Sequence, residues 1–363
     1  MTAPVVGQYS GTVGQTVVTV QQFIDQGARL SGKLAEELTV EQVQASKQAL
    51  FFLLSNLINQ GVNYWGVAKQ VYGLLPDQYE YLLPIGGNEI LNALYRYMTR
   101  PNGSYSSSDG GNAGVIAGSD ITQHYTQTVV NGSITVDFGT NNPQYIGSIG
   151  IMPYIAGGGT QTWSYQYQTS PDNSTWTTIY TATGVTVQDG QWIWTDIDPG
   201  ANNEFYRIVA TNNTTLSLRQ WYLGTNSTEI MMARLNRDDY TNLPNKNFTA
   251  NQPYQYWFNR TIPQSTINLW PAPSDPFVQM TVWYSRQVMD VGDLSGQIEI
   301  PQYFYQAIQF MLAHQMSMIL PGVAPERMAY LETQSDKYFM MAESENRDKS
   351  PIYLYPNITG YTK

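Results

Sequence analysis

The spacing of apolar residues changes twice along the chain, and each change marks a change of element. Near the start, Val20, Phe23, Ile24 and Ala28 recur at three- and four-residue intervals, as do Val43, Leu50, Leu54, Leu57 and Ile58. This is the one-sided stripe of an amphipathic helix. Each stripe follows a threonine with a glutamine three positions on, Thr19 with Gln22 and Thr39 with Gln42. In such a capping box the two side chains satisfy backbone N–H groups that a helix start leaves open. The spacing predicts a helix after each threonine, the second ending at Gly61. A third amphipathic stretch, GNEILNALYRYMTR, follows Gly86 and is also expected to be helical.

From about residue 104 the helical repeat stops. GSYSSSDGGNAGVIAGSD has the composition of a flexible linker. Short runs rich in β-branched and aromatic residues follow between turn residues: SITVDFG, IGSIGIMPYI, WSYQYQTS, TWTTIYTA, QWIWTDI, FYRIVAT and LSLRQWYL. Short strands at such close spacing predict an antiparallel sandwich. Strand and turn signals continue beyond Ile230 until Phe304, Ile308, Met311, Leu312, Gln315 and Ile319 restore a helical face. LPGVAP breaks it, and Pro325 with Glu326 in a first turn predicts one more helix. The final SPIYLYPNITGYTK has no helical period and reads as an extended tail.

The expected fold class is therefore α+β, a helical core with a small β-sheet, interrupted by an antiparallel β-sandwich. The expected segments are a helical part at 1–103, the sandwich at 104–226, strands and closing helices at 227–349, and the tail at 350–363.

Composition narrows the function classes. Hydrophobic residues make up 42% of the 363, enough for a packed core. Aromatics reach 13%, with 27 tyrosines, which suits large interfaces. There is no cysteine, hence no disulfide or thiolate metal site. His124 and His314 lie far apart without clustered carboxylates, so each is read as structural or solvent-facing. Net charge is −10 with no basic stripe for gripping DNA phosphates. The sandwich segment is the more acidic part, its basic residues being Arg207 and Arg219. An acidic chain can still surround DNA that must slide without sticking. MTAPVVGQYSG lacks the pattern of a secretion signal, and ALFFLLSNLI is too short to span a bilayer. The sequons at Asn102, Asn131 and Asn226 are read as chance.

Catalytic constellations are missing. No nucleophile elbow, phosphate loop or H-E-x-x-H zinc motif occurs. Asp196 and Asp198 could share a strand face for acid–base work or cation binding, but the following turn favours a plain strand end. The run Gly157-Gly158-Gly159 lies between strands, which disfavours a phosphate cradle. Trp192 and Trp194 alternate across Ile193, either as a sugar-stacking platform or, preferred, as a packing pair. No enzyme activity, cofactor or metal is expected.

Two resemblances organise these segments. RDDYTNLPNK, QPYQYWFNR, INLWPAPSD, VQMTVWYSRQV and IEIPQYFYQAIQFMLAHQM, in that order, resemble the head-to-tail adaptor proteins of short-tailed bacteriophages. YEYLLPIGGNEILNALYRYMTR is similar to the N-terminal segment of that family. The likeness covers roughly residues 19–100 and 229–350. In the middle, ITVDFG, YQYQTSPDNSTWTTIY and EFYRIVATNNTTLSLRQWYL resemble a discoidin-type, galactose-binding-like β-sandwich. The sugar-binding loops of that family vary too much to carry ligand residues over.

The first resemblance implies a structural virion protein of the phage neck, assembled in the host cytoplasm. It would form a homo-oligomeric, dodecameric ring under the portal, extend the DNA channel and dock the tail. The implied partners are the portal protein and a tail nozzle or tail-tube protein, with a tail fibre or the capsid on the sandwich. DNA would pass without sequence-specific binding, and no membrane is involved. Tyr353, Leu354, Tyr355 and Pro356 in the tail are the candidate portal contacts. ARLNRDDYTNLPNK would be where the interrupted core resumes and meets neighbouring subunits. The alternative is a glycan- or receptor-binding module displayed on the virion through the sandwich.

Overall fold

A computed structural model describes residues 17–59, 66–225 and 227–346. The chain forms two compact units, one of Met1–Val67 with Arg286–Lys363 and the other of Ala68–Ser285. Gly61 and the tail calls at Tyr353, Leu354, Tyr355 and Pro356 lie outside the described residues, as does the side chain of Ile58.

The helices are α1 (Val20–Ser31), α2 (Val40–Asn59), α3 (Arg237–Thr241), α4 (Tyr305–Ile319) and α5 (Pro325–Glu345). All but α3 belong to the first unit. Both capping boxes form: Gln22 N–H donates to Thr19 Oγ1 at 3.3 Å, and Gln42 N–H to Thr39 Oγ1 at 3.3 Å. The predicted stripe of α1 is the buried one, with Val20, Phe23, Ile24 and Ala28 facing Ile308, Leu312 and Met316 of α4 in one core. Gly27 permits that approach, because a Cβ there would lie 2.7 Å from Met316 Sδ. The backbone N–H groups of Val20 and Gln21 donate to the carbonyls of Gly296 and Leu294 at 3.0 and 2.9 Å, so the segment before α4 closes over the start of α1. Pro325 opens α5 as expected.

The second unit is built from sheets. One four-stranded sheet has the order Val67–Gly73, Gln279–Arg286, Gly87–Met98, Ser227–Met231. Another has the order Ala233–Leu235, Gln255–Asn259, Thr266–Trp270, Glu80–Leu82. They share a core that includes Leu74, Leu83, Ile90, Ile267, Leu269, Met280 and Val282. The segment from Gly87 is therefore a strand, not the expected helix. Ile90 and Ala93 are buried while Leu91 and Asn92 are both exposed, so the alternation slips and imitates a helical interval.

The middle of the chain is an antiparallel β-sandwich. Ile193–Asp196, Ser148–Pro153, Ser217–Gly224 and Tyr125–Thr126 form one sheet. Ser104–Ser107, Ser133–Asp137, Phe205–Ala210, Thr160–Ser170 and Thr177–Gln188 form the other. Between them Trp163, Tyr165, Tyr167, Tyr206 and Trp221 are essentially inaccessible. All seven sequence-predicted runs are strands. The expected linker is not one: Ser104–Ser107 pairs with Ser133–Asp137, and Ala113–Ala117 is a 3-10 turn. Its polar side chains bond to the strands beside it as well as within their own turn. Asp109 accepts from Gly111 and Thr128 N–H at 3.0 and 2.8 Å, and Ser108 Oγ accepts from Ser133 N–H at 2.9 Å. Gly, Ser and Asp suit such side-chain-closed turns as well as they suit linkers.

The sandwich leaves and re-enters its neighbour at one hairpin. Met98 is paired with Ser227, and Thr225 N–H donates to Thr99 carbonyl at 2.9 Å. An aromatic cluster seats it there. Trp192 and Trp194 stack at 4.9 Å, Trp192 meets Phe277 at 6.2 Å, and Tyr222 stacks on Phe277 at 5.0 Å. The Arg100 guanidinium lies 5.3 and 5.0 Å from the Tyr222 and Phe277 rings. Glycine makes the fit, since a Cβ on Gly73 would lie 2.2 Å from Trp192 Cβ.

Candidate functional site

The sequence-level candidates separate in space. Asp196 pairs with Arg96 at 2.8 Å, whereas Asp198 accepts from the Tyr145 hydroxyl at 2.8 Å. They have different partners and form no carboxylate pair. Trp192 and Trp194 are a packing pair, as preferred. Gly157, Gly158 and Gly159 all have positive φ in a turn between strands. Among the described residues no group of three or more His, Asp or Glu could hold a metal, and no helix is long and apolar enough to cross a membrane.

A different cluster stands out on the sandwich. Tyr154 sits just past the strand Ser148–Pro153, where its N–H donates to the Ser217 carbonyl at 2.9 Å. Arg219 projects from Ser217–Gly224, and His124 precedes Tyr125–Thr126, which pairs with Ser217 and Leu218. Asp189 follows Thr177–Gln188, its N–H held by the Gly159 carbonyl at 3.0 Å. Four separate segments thus converge. The exposed His124 ring stacks on Tyr154 at 3.6 Å with 19° between the planes, and the Arg219 guanidinium lies 4.8 Å from the same tyrosine ring. Arg219 Nη2 donates to both Asp189 oxygens at 3.2 and 3.1 Å, and Ile155 N–H donates to Asp189 Oδ1 at 2.8 Å. Arg219 Nε is buried with no hydrogen-bond partner.

The loop carrying His124 is held by Asp120, which accepts from the Thr122 hydroxyl and N–H at 2.6 and 2.9 Å. Those bonds, the hydroxyl first, keep the Asp120 carboxyl below the usual carboxylate range. Beside Arg219 a cavity of about 440 Å³ opens, lined by Ile121, Thr122, Met152 and Gly190 together with Leu75, Pro76 and Gln78. The cluster offers an exposed flat ring beside an oriented ion pair, and Arg219 is the member it shares with the cavity.

Sequence reasoning missed this cluster because its members are spread from residue 124 to residue 219, and His124 was expected to be merely structural or solvent-facing. One signal was present. Arg207 and Arg219 are the basic residues of the sandwich segment, and each lies on an aromatic ring, Arg207 being 3.9 Å from that of Trp176.

No protein-family profile matches the chain. No curated protein matches it either. Among solved structures it is similar to a chitosan-binding module from a Paenibacillus chitosanase/glucanase, at 20% identity over 35% of this chain and 99% of that one, with a TM-score of 0.28. A family 32 carbohydrate-binding module from C. perfringens in complex with galactose is similar at 16% identity over 36% and 98%, with a TM-score of 0.29. The family 32 module of AlyQ, solved with 4,5-unsaturated mannuronic acid, is similar at 14% identity over 34% and 97%, with a TM-score of 0.30. The β-sandwich described above stands on its own strand pairing and core.

Proposed function

We propose that the chain is a structural protein whose sandwich binds a carbohydrate at the His124–Tyr154–Arg219 cluster. The observation that carries this is the exposed His124 ring stacked on Tyr154 beside the Arg219–Asp189 pair. A pyranose has an apolar C–H face that packs on a flat ring and hydroxyls that match oriented donors and acceptors. The test is a glycan array with the full chain, then calorimetry on any sugar retained. His124→Ala, at an exposed position, should lose most of the affinity while the thermal melt is unchanged. Absence of any retained glycan, or full affinity in His124→Ala, overturns this reading.

A second, compatible reading concerns the rest of the chain: a head-to-tail adaptor ring under a phage portal, extending the DNA channel and docking the tail. It is favoured by one arrangement. The segments that carry the adaptor resemblance fall outside the sandwich, which enters and leaves at a single hairpin, the geometry at which insertions are tolerated. The portal protein, a tail nozzle or tail-tube protein and further copies of the chain are its partners, and the virion neck its location. Electron microscopy of the purified protein with and without its cognate portal tests it. A chain that stays monomeric and does not bind portal removes it.

A further inference from the structure

The cavity beside Arg219 has walls of two origins. One belongs to the sandwich: Ile121 and Thr122, in the loop that precedes Tyr125–Thr126, and Met152, in the strand Ser148–Pro153. The other comes from outside it: Leu75, Pro76 and Gln78, in the loop that follows Val67–Gly73. That outer loop is held at three points. Leu74 N–H donates to the Val278 carbonyl at 3.0 Å, Leu75 N–H to the Tyr81 hydroxyl at 2.9 Å, and Asp77 N–H to the Pro273 carbonyl at 2.8 Å. The wall is therefore fixed in place, and the cavity, at about 440 Å³, is of a size that holds a small ligand.

Its chemistry suits a sugar ring. Leu75, Pro76, Ile121 and Met152 supply apolar surface, on which the C–H face of a pyranose packs. Gln78 Nε2 donates to the Glu80 carbonyl at 2.9 Å, so the amide is oriented, and its Oε1 has no partner among the described residues. The Thr122 hydroxyl donates to Asp120 at 2.6 Å and keeps lone pairs with which to accept. Both oxygens can take hydrogen bonds from sugar hydroxyls. Arg219 is the charged residue among those lining the cavity, and its Nη2 is already shared between the two Asp189 oxygens at 3.2 and 3.1 Å. A charged ring would thus lose water there without gaining a counter-ion.

We propose that this cavity is a second subsite, so that the glycan is a neutral oligosaccharide of at least two rings: one packed on His124, the next in the cavity and hydrogen-bonded to Gln78. Arg219 joins the two places, since its guanidinium lies 4.8 Å from the Tyr154 ring on which His124 stacks and also lines the cavity. The inference rests on the carbohydrate reading of the His124–Tyr154–Arg219 cluster and adds that the second ring is read by a loop outside the sandwich.

The test is calorimetric titration of the full chain with two probes, the monosaccharide and the disaccharide cut from the non-reducing end of the glycan that the array retains. The disaccharide should bind about tenfold or more tightly than the monosaccharide. Gln78→Ala should weaken the disaccharide about three- to tenfold, the range of one hydrogen bond, and leave the monosaccharide unchanged. His124→Ala should weaken both. Because the chain has no cysteine, Pro76→Cys gives a second measurement on the same loop: saturating disaccharide should slow its alkylation by iodoacetamide, and the monosaccharide should not. Equal affinity of the two sugars overturns the second subsite and leaves the His124 site standing. So does a Gln78→Ala variant that weakens both sugars alike, or alkylation of Pro76→Cys that the disaccharide does not slow. Disaccharide binding that falls in Gln78→Ala but not in His124→Ala removes the stacking reading and keeps the cavity. An array that retains only anionic glycans overturns the neutral class, and one that retains none removes both readings.

Discussion

Gly150 and Trp194 offer a quantitative test of how the sandwich is seated. Gly150 pairs with Trp194 on one side and Tyr222 on the other, in a strand that is buried throughout. A Cβ built on Gly150 would lie 2.6 to 2.7 Å from three atoms of the Trp194 ring, closer than side chains pack. The indole must shift, and its other side is stacked on Trp192 at 4.9 Å. Forcing a methyl into such a site costs about 1–3 kcal/mol. The stiffer unfolded chain of an alanine variant returns about 0.4–1 kcal/mol. Gly150→Ala is therefore expected to destabilise the sandwich by about 1–2 kcal/mol. Trp194→Ala removes a half-buried ring and should cost about 2–3 kcal/mol, below the ~3–5 kcal/mol of a fully buried tryptophan. In the double variant the methyl has room, so the combined loss should fall short of the sum by about 1–2 kcal/mol. Urea unfolding of the four proteins, followed by near-ultraviolet circular dichroism, measures this. Additivity within about 0.5 kcal/mol would refute the claim that the ring lies across the glycine.

Thr19→Ala and Thr39→Ala each remove one side of a capping box and should each cost about 1 kcal/mol, read as a lower urea midpoint of the helical unit. Asp109, held chiefly by the Thr128 N–H and then by the Tyr125 hydroxyl, and Asp172, held chiefly by the Thr175 N–H, have carboxyls well below the usual range. A folded pKa below the unfolded value of about 3.9 gives stability that is complete above that value and lost as pH falls further. The sandwich should thus lose stability below about pH 4, with a shallower acid slope in Asp109→Asn, measured as urea midpoint against pH. Excision of residues 101–224 behind a short Gly/Ser link should leave a soluble, folded remainder, most readily with Phe277→Ser because that ring loses its Tyr222 and Trp192 neighbours. Insolubility of both forms, judged by gel filtration and circular dichroism, would count against a separable insert.

Local patterns were legible where one periodicity held over a whole element. The stripe of Val20, Phe23, Ile24 and Ala28 and both capping boxes could be read directly, because local side-chain chemistry decides them. The seven sandwich strands were legible for the same reason. Gly87–Met98 was misread because its burial follows two packing partners and breaks the alternation at Leu91 and Asn92. The stretch from Gly103 was misread because the hydrogen bonds of Asp109 and Ser108 reach Thr128 and Ser133, contacts that composition does not encode. The His124, Tyr154, Asp189 and Arg219 cluster was invisible for a related reason: segments from both sheets of the sandwich must come together before its members meet. The stacking role of Trp192 and Trp194 could be anticipated from their alternation, but their partner Phe277 could not.

The position of the insert has a consequence for Ser227–Met231, the last strand of its sheet. Ser227–Met231 pairs with Gly87–Met98 only after about 130 intervening residues, and closing a loop of that length costs about 3 kcal/mol more than closing a tight hairpin. The folded sandwich removes that difference by holding Thr99 carbonyl 2.9 Å from Thr225 N–H. The pairing of this exposed edge strand with Gly87–Met98 begins at Ser227 and Met98, next to that closure. Unfolding the sandwich should then release the edge while the rest of its neighbouring sheets holds. Tyr167→Asp, which places a carboxylate at a fully buried position and so costs several kcal/mol, is the perturbation. Hydrogen exchange read by mass spectrometry should show Ser227–Met231 losing protection together with the sandwich strands, while Thr266–Trp270, central in its sheet, stays protected. Persistent protection of Ser227–Met231 in a chain whose sandwich is unfolded would show that the edge is secured independently of the insert.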